Sequence, residues 1–228
     1  EIYKQVQSEM LKADDEAVWV MQQWQGNLND AKLGGLVEPS QALALDLQSD
    51  LNAENGVMEN HKVPWIWNML HNFGGRMGLD GELEVTAEQM PKDFQNKNYM
   101  KGIGITPEAL ENSPVAYELF FDMTWSKDPI DYHAWLEKYA ERRAGGTSDT
   151  LQEAWKILNE TAYAKKGQYF QGAAETVINA RPGLNFSAAS TWGHSSILYD
   201  KTELDKALEL LIDNYDAFAN SPAFQYDL

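Results

Sequence analysis

The sequence of 228 residues contains no cysteine, which excludes disulfide bonds, thiolate nucleophiles and thiolate-bound metals. It also lacks an apolar run of about 20 residues, the length that a membrane-spanning helix needs. We therefore expect no transmembrane segment. Neither absence identifies the cellular compartment.

Basic residues are scarce in this chain. Lysine and arginine number 18 against 35 acidic residues, and the net charge is −17. A field of this sign repels phosphate backbones and anionic membrane surfaces, so we expect neither nucleic acid nor a membrane as a partner. The histidines show no metal-binding spacing such as His-Glu-x-x-His, and we predict no metal and no cofactor. They are His61, His71, His133 and His194.

Hydrophobic residues make up 43% of the chain and aromatic residues 11%, which argues for a sizeable folded core. A helix is predicted over residues 1–14. Four short apolar runs then follow that are typical of buried parallel strands, at residues 17–24, 42–47, 63–72 and 99–108. Each run closes with polar or aromatic groups, as expected where a parallel sheet carries its functional groups at the strand C-termini.

From about residue 113 the pattern changes to helices. Helices are predicted to start at Ser113-Pro114, near residue 130, at Ser148-Asp149 and near Thr202, and the second ends before Gly145-Gly146. The stretch from about residue 167 to 199 is rich in Gly, Ser and Ala and is predicted to be irregular. The chain is therefore expected to be α/β in its first part and all-α in its second.

Glu108 closes the fourth apolar run, in the sequence Gly-Ile-Gly-Ile-Thr-Pro-Glu. A glutamate at the C-terminal end of a barrel strand is where a barrel enzyme keeps its chemistry. In the alternative, Pro107 is the first residue of a helix, and Glu108 follows it because a negative charge stabilises a helix N-terminus. The strand context and the neighbouring motifs favour the catalytic alternative.

Four parallel strands cannot close a barrel, because an open half barrel has bare edges and an uncovered core face. A closed eight-stranded barrel usually needs on the order of 250 residues, and both ends of this sequence look cut. We expect a fragment of a larger enzyme, which by itself is inactive and prone to aggregate.

Six segments spread over nearly the whole chain carry a family resemblance. They are Glu16-Ala-Val-Trp19, Leu45-Asp-Leu47, Trp67-Asn-Met-Leu-His-Asn-Phe-Gly-Gly75, Gly102-Ile-Gly-Ile-Thr-Pro-Glu108, Trp125-Ser-Lys-Asp-Pro129 and Ser221-Pro-Ala-Phe224. They resemble the α-N-acetylglucosaminidase family, glycoside hydrolase family 89, which has a (β/α)8 barrel followed by an all-helical domain. The resemblance implies that residues 1–128 form the C-terminal half of the (β/α)8 TIM barrel and residues 129–228 the beginning of the helical domain.

The resemblance implies that Glu108 is the nucleophile of a retaining exo-glycosidase. The family's acid/base glutamate lies in a Phe-Asn-Glu motif that this chain lacks, so the missing N-terminal part of the enzyme is an expected partner. The implied substrate is a glycan with terminal α-linked N-acetylglucosamine, of the heparan or mucin type. The implied location is secreted or periplasmic in a bacterium and lysosomal in a eukaryote.

The predicted substrate-binding residues lie mostly at the strand ends. Trp24 and Trp67 are predicted to stack on the apolar face of a sugar, with core packing as the alternative for each. His71 and Asn72 are predicted to bind sugar hydroxyls, unless they satisfy the backbone at their strand end. Asp46 is predicted either to contact a hydroxyl or to cap a turn.

Trp192, with His194 beside it, lies in the irregular stretch and is predicted to roof the pocket. Two other functions remain open at this point. The chain could be a non-catalytic glycan-binding or structural remnant of such an enzyme, or part of a sister α-glycosidase with another sugar specificity.

Overall fold

The structure, a computed structural model, describes residues 1–53, 55–71, 79–108, 113–164, 184 and 199–228. Four parallel strands form one sheet in chain order. They are β1 (Trp19–Gln23), β2 (Ala42–Asp46), β3 (Trp65–Met69) and β4 (Met100–Ile105). Each strand lies inside one of the four predicted runs, so the predicted parallel sheet is confirmed.

Short helices lead from each strand to the next, as parallel pairing requires. Helix α1 (Ile2–Ala13) precedes the sheet, and α2 (Asp30–Leu33) connects β1 to β2. After β2 come α3 (Ser49–Asn52) and α4 (Gly56–Asn60). A π-helical turn (Val85–Gln89) continues into α5 (Met90–Asn96) before β4, and α6 (Pro114–Met123) follows it.

The two faces of the sheet differ in burial. In β2, Ala42 and Ala44 are buried, while Leu43 and Leu45, which alternate with them, are half-buried. The same alternation places Trp65 of β3 in the core on the helix-covered face. On the opposite face, Val20 of β1 is 55% exposed. Within the described residues the sheet therefore has one covered face and one open face, which is the geometry of a partial barrel.

The second part of the chain is helical. It contains α7 (Tyr132–Ala144), α8 (Asp149–Glu160), α9 (Lys201–Asp213), α10 (Tyr215–Phe218) and α11 (Pro222–Asp227). Helix α7 ends at Gly145 with φ 75°, and α8 begins where the Ser148 hydroxyl accepts the Leu151 N–H. The predicted helices are confirmed, whereas the predicted irregular stretch lies almost wholly outside the described residues.

Polar contacts join the helical part to the strand-bearing part. The Trp135 indole N–H of α7 donates to the Asp122 carboxylate of α6 over 2.7 Å. The hydroxyl groups of Ser113 and Tyr163 lie 3.1 Å apart and share a hydrogen bond. In the part of the chain that the structure describes, no helix is both long and apolar enough to cross a membrane.

Candidate functional site

The C-terminal ends of the four strands lie together at one edge of the sheet, because the strands are parallel and neighbouring strands pair near their ends. Gln23 pairs with Asp46, Asp46 with Trp67, and Met69 with Ile105. The residues that follow these strands therefore meet at that edge, which is where barrel enzymes carry their active sites.

Glu108 lies three residues beyond β4 and is exposed. The backbone before it is held by Thr106, whose N–H donates to the Met69 carbonyl over 2.9 Å. The Thr106 hydroxyl donates to the Leu47 carbonyl over 2.7 Å, so the end of β4 is bonded to the ends of both β2 and β3. A solvated carboxylate that follows such a fixed strand end is suited to act as a nucleophile.

Gly104 leaves space for the side chain of Asn68 on the neighbouring strand. A Cβ atom at Gly104 would lie 2.4 Å from Asn68 Oδ1, which is closer than van der Waals contact allows. The Asn68 amide uses this space to donate to the carbonyls of Asp46 over 3.3 Å and of Ile66 over 3.1 Å. Any side chain at Gly104 would therefore displace the Asn68 amide that bonds β3 to β2.

Gly104→Ala is expected to lower the free energy of unfolding by about 1–3 kcal/mol, because the Asn68 amide must move and lose its bonds. Gly102→Ala, on the same strand, is the matched control. Its Cβ would meet only Ile66 Cδ1 at 3.4 Å, an ordinary contact. Urea unfolding of the complete protein measures both variants, and equal losses would contradict the close contact at Gly104.

Trp24 follows β1 directly and is half-buried. A tight turn comes next, with Gln25 at φ 46° and Gly26 at φ 74°, and the Asn27 N–H donates to the Trp24 carbonyl over 2.9 Å. The turn fixes the backbone of Trp24 at the strand-end edge. Because the residue is only half-buried, Trp24 stays a candidate for stacking on a sugar.

Trp67 is fully buried, at 0% exposure, on the helix-covered face. Its ring stacks on Phe120 of α6, with centroids 6.3 Å apart. Burial raises the pKa of the Asp93 carboxyl on α5, and a hydrogen bond from the Gln89 side-chain amide partly opposes that rise. Because neither ring face is open, the structure favours core packing, and we leave Trp67 out of the proposed substrate site.

Asp46 is also fully buried, at 0% exposure. Its carbonyl accepts the Ser49 hydroxyl over 3.1 Å, which stabilises the turn after β2. The Asp46 side chain has no exposed surface at which to meet a substrate hydroxyl. The structure thus favours a role in the turn, the alternative that the sequence left open.

His71 is 1% exposed and has a left-handed backbone, with φ 68°. Its Nε2–H donates to the Asp80 carbonyl over 2.8 Å, since a carbonyl can only accept. Its ring meets the edge of Tyr117, with centroids 5.7 Å apart. These contacts favour a structural role at the strand end over direct binding of sugar hydroxyls. Asn72 and Trp192 lie outside the described residues and stay predictions.

Asp50 is a buried carboxyl at this edge that the sequence analysis missed. It accepts the N–H groups of Leu70 over 3.0 Å and His71 over 2.9 Å. Burial raises the pKa of Asp50 to about 7, the charge of Asp80 adds to the rise, and the two N–H groups oppose it. Burial, and then the charge of Asp50, raise the pKa of Tyr117 to about 12. The only sequence signal for Asp50 was that it is a second carboxylate, after Asp46, in the polar run Gln48-Ser49-Asp50 that follows β2.

Groups of three or more His, Asp or Glu side chains arranged to hold a metal ion do not occur among the residues that the structure describes. The site therefore consists of an exposed glutamate, a half-buried tryptophan and a buried supporting layer. A carboxylate at the strand ends of a partial parallel barrel fits the class of barrel glycoside hydrolases, which use carboxylates at that edge.

The family comparisons agree with that class. The family model described as the alpha-N-acetylglucosaminidase (NAGLU) TIM-barrel domain matches residues 1–127. The model described as the C-terminal domain of the same family matches residues 135–228. The chain belongs to the alpha-N-acetylglucosaminidase family. The predicted family and the partial barrel with a helical domain are confirmed, while a division of the chain at residue 128 stays a prediction.

Individual relatives are similar over almost the whole chain. Human alpha-N-acetylglucosaminidase is 32% identical over 231 residues, which cover 96% of this chain and 30% of the human protein. Structures of a family 89 glycoside hydrolase from Clostridium perfringens superpose on this chain with a TM-score of 0.94 and share 52% of its sequence in the matched region. The match covers 99% of this chain and 26% of the clostridial chain. One holds PUGNAc and another its substrate GlcNAc-α-1,4-galactose. The chain thus spans less than a third of the length of these relatives.

Proposed function

We propose that, within the complete protein, Glu108 is the nucleophile of a retaining exo-glycosidase that removes terminal α-linked N-acetylglucosamine. Family membership and the substrate of the clostridial relative support this activity. The observation that carries the proposal is the position of Glu108, exposed at the C-terminal edge of a parallel sheet. Thr106 holds the backbone two residues before it.

Retaining hydrolysis of this substrate requires a nucleophile from the enzyme. In an α-N-acetylglucosaminide the 2-acetamido group and the leaving group lie on the same face of the ring. The acetamide therefore cannot attack C1 from the opposite face, and in a retaining reaction a carboxylate of the protein does so. Among the described residues, Glu108 is an exposed carboxylate that follows β4 at the strand-end edge.

The reaction proceeds in two displacements. The Glu108 carboxylate forms an ester bond to C1 while the bond from C1 to the leaving oxygen breaks, and an acid/base carboxyl protonates that oxygen. Water then attacks C1, the ester bond breaks, and the proton of the water returns to the acid/base group. We expect that second carboxyl outside this chain, about 5–5.5 Å from Glu108, the separation usual for a retaining pair.

The half-buried Trp24 is the proposed wall for the sugar ring. It lies at the same sheet edge as Glu108, and its turn fixes its backbone. An aromatic face suits the apolar face of a pyranose. His71 and Asp50 lie behind this surface, where they are buried and hold the strand ends.

The anomer released first tests the proposal. With GlcNAc-α-1,4-galactose as substrate, proton NMR of the complete protein is expected to show α-N-acetylglucosamine first and its β-anomer only through mutarotation, because two displacements retain configuration. A sample of pure α-anomer without enzyme calibrates mutarotation. Early release of the β-anomer would contradict Glu108 as nucleophile, and binding without any release would favour the glycan-binding alternative.

A further inference from the structure

The short segment that follows β2 is bonded to the ends of both neighbouring strands. The Leu47 carbonyl accepts the Thr106 hydroxyl, at the end of β4, over 2.7 Å. The Asp50 carboxylate accepts the N–H groups of Leu70 and His71, at the end of β3, over 3.0 and 2.9 Å. The geometry of the candidate site at β3 and β4 thus depends on the exit from β2.

A single peptide group connects Asp50 to Thr106. The N–H of Leu70 donates to Asp50, and the carbonyl of the same peptide group, that of Met69, accepts the Thr106 N–H over 2.9 Å. Hydrogen bonds in such a chain polarise and strengthen one another. Displacement of this peptide group would therefore move Thr106, which lies two residues before Glu108.

The backbone of His71 also needs the support that Asp50 provides. Its φ of 68° is a left-handed conformation, which a residue with a Cβ keeps only when its surroundings fix it. Asp50 accepts the His71 N–H, and the Asp80 carbonyl accepts the Nε2–H of its ring. Asp50 is itself 5% exposed, so it has almost no surface with which to contact a substrate.

We propose that Asp50 is a positioning residue, which holds the peptide group between Met69 and Leu70 and thereby fixes Thr106 and the strand end that carries Glu108. The catalytic consequence rests on the proposed function of Glu108. The hydrogen-bonded connection from Asp50 to Thr106 does not depend on it. The two parts can therefore be tested separately.

Kinetics of the complete protein test the catalytic consequence. Asp50→Ala removes both acceptors and is expected to lower kcat about 10²-fold with KM within about 2-fold, the scale of a misplaced catalytic group. Asp50→Asn keeps one acceptor oxygen, so a loss of about 10-fold is expected, and this variant replaces Asp50→Ala if the latter does not fold. Wild-type kcat in either folded variant would overturn the proposal.

Asp93→Asn is the matched control, because Asp93 is equally buried, at 5% exposure, but lies on α5 and accepts its hydrogen bond from Gln89 rather than from the end of a strand. We expect it to lower the melting temperature and to leave kcat within about 2-fold of wild type. If Asp93→Asn lost as much kcat as Asp50→Asn, the loss would reflect general destabilisation, and the positioning role would be overturned.

Amide hydrogen exchange separates the connection from the activity. Asp50→Asn is expected to accelerate exchange at the Leu70, His71 and Thr106 amides at least about 10-fold, and Asp93→Asn to leave them unchanged. Faster exchange at Thr106 supports the connection even if Glu108→Gln shows that Glu108 is not the nucleophile. Unchanged exchange at Thr106 overturns the connection even if Glu108 is the nucleophile.

Discussion

Glu108→Gln in the complete protein is expected to lower kcat at least about 10³-fold, because glutamine cannot form the glycosyl ester. Glu108 is exposed, and the Thr106 hydroxyl bond that holds the strand end does not involve the Glu108 side chain. The melting temperature is therefore expected to stay within a few degrees of wild type. Steady-state kinetics with GlcNAc-α-1,4-galactose and thermal unfolding measure the two quantities.

Glu137→Gln is the control for this substitution. Glu137 is an exposed glutamate on α7, outside the strand-end edge. The same chemical change there is expected to leave kcat within about 2-fold of wild type. Near-normal turnover of a folded Glu108→Gln protein would show that another group attacks C1, and the nucleophile assignment would then be abandoned.

The second large effect concerns the ion pair between Arg143 of α7 and Asp227 of α11. The Arg143 Nε donates to Asp227 Oδ2 over 2.8 Å and its Nη2 donates to Oδ1 over 2.5 Å. The two side chains are 16% and 4% exposed. Arg143→Ala leaves a buried carboxyl without its cation, so we expect the free energy of unfolding to fall by about 3–5 kcal/mol.

Arg142→Ala is the adjacent control. Arg142 is 47% exposed, and its nearest carboxylate oxygens, on Glu118 and Asp122, lie 3.5 and 4.0 Å away. An exposed pair of this kind contributes about 1 kcal/mol or less. Urea unfolding of the complete protein distinguishes the two variants, and equal losses would mean that burial of the Arg143–Asp227 pair adds nothing to stability.

The Arg143 variant should also respond to pH in a defined direction. Burial raises the pKa of Asp227, while the Arg143 guanidinium opposes that rise. Without Arg143 the folded-state pKa rises further above the unfolded value, and the folded state then binds more protons than the unfolded state. The stability difference from wild type is therefore expected to shrink as the pH falls from 7 to 5, and a widening difference would contradict this account.

The strands and helices were predictable because their signals are local. Short apolar runs limited by polar residues predicted β1 to β4, and Ser148 and Gly145 predicted helix ends through hydrogen bonds formed within a few residues. The predicted position of Glu108 after β4 followed from the same signals, since Pro107 ends the run.

The roles of the two tryptophans show where local signals stop. Trp24 and Trp67 both lie in apolar runs, and the sequence left core packing open for each. In a strand, successive side chains point to opposite faces of the sheet. A shift of one position along the strand therefore moves a side chain from the helix-covered face to the other face. Trp67 lies on the covered face against Phe120, whereas Trp24 follows β1 and is half-buried.

Signals between near neighbours along the chain were enough to predict the four strands, the change to helices and the carboxylate after β4. The folded arrangement was needed to show that Trp67 and Asp46 are buried, that His71 has a left-handed backbone, and that Asp50 bonds to the end of β3. These outcomes depend on residues 20 or more positions apart, as with Asp50 and Leu70. The burial of a polar group, and the hydrogen-bond partner that compensates it, arise only when distant strands come together.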